Sequence, residues 1–91
     1  MLYVIACSLN NKMRNYQPLY ERLKGISANI HEAAPNLWFM QTDQGVPQIT
    51  YALSDCIDRA MDKVFISDIT GKTMNGWLYT SSWEWINAHN C

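Results

Sequence analysis

The sequence predicts an α+β fold in which two amphipathic helices cover one face of an antiparallel sheet. Three observations predict it. Apolar runs of strand length and segments of helical periodicity follow one another in the order strand, helix, strand, strand, helix, strand. The connections between them are short, with no repeat, low-complexity tract or Pro/Gly/Ser linker. Finally, 91 residues suit a single domain over 1–91, because domains usually hold roughly 100 to 150 residues.

Residues 2–9 form a nearly continuous apolar run rich in strand formers, the pattern of a strand buried on both faces, and so mark the central strand. After a polar loop over 10–15, Tyr16, Leu19, Tyr20, Leu23 and Ile26 recur at helical spacing, with Pro18 in the first turn and Gly25 near the end. Residues 28–33 and 37–42 read as two strands joined at Pro35 and Asn36, a pair that stops any helix trying to cross it. Val46, Ile49, Leu53, Ile57 and Ala60 then predict a second helix reaching Ala60, with Pro47 tolerated in its first turn. Residues 63–69 form the fourth strand, followed by a turn over 71–76 and a short segment over 77–79. Ser81 and Glu84 have the spacing of a capping box, which opens a last short helix through Trp83, Ile86 and His89.

In a right-handed split βαβ arrangement this order gives the ferredoxin-like βαββαβ sandwich, two helices on an antiparallel sheet, with a short Trp-rich C-terminal strand or helix. The helices leave the other sheet face open. The Trp-rich tail covers it either within the chain or across a two-fold axis.

Composition narrows the function. Hydrophobic residues make up 48% and charged residues 16%, against about 25% charged in an ordinary domain, so some apolar surface is expected to meet a partner. A formal net charge of −1 excludes a general cationic field for gathering polyanions. Residues 1–40 nevertheless carry four basic against two acidic groups, and residues 41–91 three against six. Because no apolar run nears the roughly 18 residues of a membrane span, and residues 2–9 lack the flanks of a signal peptide, a cytoplasmic protein with no membrane partner is expected. Cys7, Cys56 and Cys91 are an odd count at long spacings and read as reduced thiols.

Particular residues then resemble a known family. A first strand ending in a polar segment, Tyr16-x-x-Leu19, the run Leu37-Trp-Phe-Met-Gln-Thr42, a second helix, Asp62-Lys-Val-Phe-Ile-Ser-Asp68 and Gly76-Trp77 resemble the small ferredoxin-like proteins related to the CRISPR adaptation subunit Cas two, and within them the SinR-like branch. The resemblance covers most of the chain. It implies a homodimer in a defence, toxin–antitoxin or mobile-element setting and, for some members, metal-dependent cutting of RNA or DNA. Nuclease members place an aspartate just after the first strand's apolar run, and here Ser8 stands there. A neutral hydroxyl does not replace a carboxylate on a hard divalent cation. The resemblance thus carries the architecture over more readily than the activity.

The candidate sites follow from residue chemistry. Asn10, Lys12, Arg14 and Asn15 put two cations and amide donors before the first helix, where free N–H groups favour anions, so nucleic-acid contact is weighed there against ordinary turn-forming roles. Asp55, Asp58 and Asp62 fall at i, i+3 and i+7 and would share one helix face, but Arg59 and Lys63 make surface pairing the simpler account of this weak metal candidate. Asp68 joins them in the nuclease alternative. His31 and His89 have no partner at a metal or nucleophile spacing, and no phosphate loop or hydrolase motif occurs, so no cofactor is expected. Trp77, Tyr79, Trp83, Trp85 and Ile86 are the candidates for a dimer or partner interface, Trp and Tyr being enriched where partners bury apolar surface. The expected function is a non-catalytic homodimeric binding module. A metal-dependent nuclease and a protein-binding inhibitor or decoy are the alternatives.

Overall fold

In the computed structural model, which describes residues 1–90, the elements are β1 (Leu2–Ser8), α1 (Gln17–Ile26), β2 (Ile30–Ala34), β3 (Leu37–Gln41), α2 (Val46–Leu53), β4 (Lys63–Asp68) and α3 (Thr80–His89). The four strands form one sheet in the order β2-β3-β1-β4, every neighbouring pair antiparallel. β1 is interior, with Ile5 opposite Trp38 on one side and Ile66 on the other. Side chains alternate across a strand, so Tyr3, Ile5 and Cys7 face one layer and Leu2 and Val4 the other. Both layers are apolar, which is why the first strand reads as an unbroken hydrophobic run.

The first layer is made by α1 and α2. Leu19 and Leu23 from α1, and Ile49 and Leu53 from α2, pack on Tyr3, Ile5, Trp38 and Met40. Burying each such aliphatic side chain contributes about 1.5–3 kcal/mol. The second layer is the carboxyl-terminal tail: Ile86 is buried with Leu2, Ala33 and Phe39, and Ile69, Met74, Leu78, Trp83 and Trp85 close around them. The tail therefore folds onto its own chain's sheet.

Local chemistry sets the boundaries, and several differ from the sequence expectation. The β2–β3 turn holds Asn36 at φ 63°, a left-handed conformation that asparagine tolerates better than most residues, and a bulge lies between Glu32 and Ala34. β2 starts at Ile30, two residues later than expected; just before it, Asn29 is tied to β3 through its carbonyl, which accepts from Gln41 N at 2.9 Å.

The second helix ends at Leu53 and not at Ala60. Beyond it, carboxylates take over the backbone: Asp62 accepts from Asp58 N at 2.8 Å, and Asp58 accepts from Ala60 N at 3.0 Å. Side chains competing in this way for amide hydrogens favour turns over helix. Asp55, Asp58 and Asp62 therefore share no helix face.

The expected capping box is absent as well. Tyr79 occupies the cap position without a side-chain hydrogen bond, so Ser81 lies inside the first turn of α3, and Ser82 is directed to His31 instead. Residues 77–79 join no strand. Among the described residues, no helix is long and apolar enough to cross a membrane. Cys7 and Cys56 are free thiols; Cys91, also read as one, lies outside the described residues.

Candidate functional site

Two regions carry the side chains singled out by the sequence: the loop between β1 and α1, and the sheet face under α3.

The loop is stitched to the turns after α2. Asp62, only 3% exposed, accepts from Asn10 N at 2.7 Å and from the Tyr16 hydroxyl at 2.7 and 2.8 Å. Burial alone would raise this carboxyl, but the donors of Asn10, Asp58, Tyr16 and Asn11 outweigh it and hold it below the usual carboxylate range. Asn10 Nδ2 donates to Met61 O at 2.9 Å and to Ser8 Oγ at 3.1 Å, and Asn11 Nδ2 donates to Asp58 at 2.9 Å. Asn15 Oδ1 accepts from Gln17 N at 3.0 Å, closing the entry to α1. Arg14 is half-buried, with Nη2 donating to Asp55 O at 3.1 Å. These amides and Arg14 work as fasteners of the fold, whereas Lys12 stays exposed.

The acidic candidates are dispersed among other duties. Asp55 pairs with Arg22 at 3.4 Å on the surface. Asp68 lies at the far end of β4 from Lys63, where the hydroxyl and amide of Thr70, at 2.6 and 2.9 Å, hold its carboxyl below the usual carboxylate range. Ser8 is opposite Lys63 at the end of β1, and its hydroxyl is engaged by Asn10. Among the described residues, no group of three or more His, Cys, Asp or Glu side chains could hold a metal ion.

The tail separates the five aromatic and apolar candidates. Trp77 is fully exposed and Tyr79 is 79% exposed, whereas Trp83 and Trp85 are half-buried. Ile86, at 2% exposed, is part of the core of its own chain. A pattern of apolar residues shows that a face is covered but does not say by which chain.

Val4 and Phe39 of the sheet, Trp83 and Ile86 of α3, and Ile69, Met74 and Leu78 of the connecting strap enclose an open apolar cavity of about 270 Å³, with Trp77 on its rim. Phe65, on the edge strand β4, is 65% exposed and opposes Ala6, which alternation places on the same face as Val4.

Sequence reasoning missed one cluster. Trp85 lies stacked between His31, with ring centroids 5.7 Å apart, and His89, at 4.1 Å. His89 Nδ1 sits 2.7 Å from Trp85 O, and His31 Nε2 sits 2.9 Å from Ser82 Oγ. The i, i+4 spacing of Trp85 and His89 was a signal for half of it; His31 arrives only through the fold. At 1% exposed, Ser82 is closed to any substrate, so its contact with His31 is a packing contact rather than an activated nucleophile.

No protein-family model matches this chain, and no curated protein matches it either. The exposed indole of Trp77 stands at the edge of the apolar hollow.

Proposed function

We propose that this chain is a non-catalytic homodimeric interaction module built on a ferredoxin-like sandwich, which associates on the α3 side of the sheet through the exposed groups around Trp77. The observation that carries the reading is the exposure of Trp77, Tyr79 and Phe65, at 100%, 79% and 65%, with Trp77 at the edge of an apolar cavity. Large aromatic groups left in water on one side of a small domain mark an interaction surface.

The ferredoxin-like assignment is supported by the strand order β2-β3-β1-β4, with α1 and α2 packed together on one face. That is the architecture the resemblance to the Cas-two-like proteins implies. Against a nuclease role stand Ser8, the buried and fully engaged Asp62, and the distance along β4 between Lys63 and Asp68. Light scattering after size exclusion tests the reading: the wild type at micromolar concentration runs at twice the monomer mass, and Phe65→Glu shifts it toward the monomer. A wild-type protein that stays monomeric overturns the proposal.

A further inference from the structure

We infer that two copies hold one another by exchanging Trp77, each indole entering the apolar cavity of the other. This rests on the homodimer reading and names its central contact. Three features lead to it. Of the four tryptophans, Trp77 alone is wholly in solvent. Immediately beside it is a cavity of about 270 Å³, of indole scale, walled by Val4, Phe39, Ile69, Met74, Trp83 and Ile86. Knob and hole also share one patch, because Trp77 lies on the rim of the cavity it does not fill.

That adjacency is what a two-fold interface requires. In an isologous contact the same patch serves both subunits, so an axis passing between Trp77 and the cavity brings each knob to the other hole. Gly76 stands at φ 149°, where L-residues are rarely found, and turns the strap so that Leu78 packs inward while Trp77 and Tyr79 project outward. Phe65, next to Ala6 and on the same face as Val4, extends the apolar strip beside the cavity. Each inserted indole buries on the order of 150–250 Å² of ring surface, and tryptophans seated in pockets are the residues whose truncation costs most at interfaces.

Sedimentation equilibrium on three proteins decides it. Trp77→Ala removes the knob from an exposed position and keeps the fold; Met74→Phe fills the hole. Each alone weakens dimerisation by at least about 30-fold, and their equimolar mixture regains a heterodimer, because the knob of Met74→Phe enters the open cavity of Trp77→Ala. A Trp77→Ala protein that dimerises as tightly as wild type overturns the exchange but leaves the homodimer standing. A wild type monomeric at all concentrations overturns both. The probe 1-anilinonaphthalene-8-sulfonate gives a second reading: it binds the Trp77→Ala monomer and is excluded from the wild-type dimer. Equal binding to both overturns the exchange and makes the cavity a site for small apolar molecules.

Discussion

The Tyr16 hydroxyl donates to both carboxylate oxygens of Asp62, at 2.7 and 2.8 Å, and so ties the entry of the first helix to the turn before β4 across 46 residues of sequence. Asn10 N and Asp58 N complete the shell around the same carboxylate. A buried charge surrounded in this way is a structural rivet, and its removal leaves several donors without an acceptor.

Asp62→Ala is therefore expected to cost about 3 kcal/mol, and Tyr16→Phe about 1.5–3 kcal/mol, since hydrogen bonds to charged groups are the stronger class. Because the folded carboxyl is held below its ordinary range, its contribution is present at neutral pH and is lost as pH falls below about 4 toward and through the folded value. Urea unfolding of wild type and Asp62→Asn at pH 7 and pH 3 measures it: the gap between the two proteins narrows at the lower pH.

Ile86 and Trp77 lie nine residues apart in the same tail and should behave in opposite ways. Ile86→Ala opens the second core and lowers stability by about 2–5 kcal/mol. Trp77→Ala, at a fully exposed site, stays within about 0.5 kcal/mol of wild type under monomeric conditions. Thermal melts in dilute solution separate the two.

Cys7 should be a slow thiol. Burial and, after it, the negative charge of Asp62 push its pKa up to about 11. At pH 8 this leaves roughly a hundredfold less thiolate than an ordinary cysteine has. Burial also raises Cys56. Iodoacetamide labelling read by peptide mass spectrometry is expected to modify both only after denaturant is added.

Catalysis is not expected from the dispersed carboxylates. Purified protein incubated with RNA or DNA and magnesium or manganese should leave the substrate as intact as the chelator control does. Cleavage that disappears with Asp68→Asn would restore the nuclease reading.

Much of the fold was legible because hydrophobic periodicity reports burial directly. The unbroken run of β1 announced a strand covered on both faces, and Leu19 and Leu23, like Ile49 and Leu53, announced helices packed on one. The errors arose where a side chain from elsewhere in the sequence settled a local question. Ile57 and Ala60 continue the helical spacing of α2, yet the carboxylates of Asp58 and Asp62 capture the amides that a helix would need. Ser81 and Glu84 have the spacing of a cap, yet the cap falls two residues earlier, on Tyr79, and Ser82 is drawn to His31.

The candidate site was legible in composition but not in position. A low charge fraction and a Trp-rich tail pointed to an interaction surface, while the separation of buried Ile86 from exposed Trp77 needed the path of the strap after Gly76. Likewise, Asn10 and Asn15 look the same in sequence whether they meet phosphate or backbone; here they meet Met61, Ser8 and Gln17.

The central claim is that two copies meet on the α3 side of the sheet, through the exposed groups around Trp77. The most direct measurement is the molar mass of the wild-type protein by light scattering across the micromolar range, beside Phe65→Glu. A mass rising to twice the monomer for wild type and staying at the monomer for the variant is the predicted result; a wild-type mass that remains at one chain throughout contradicts the account.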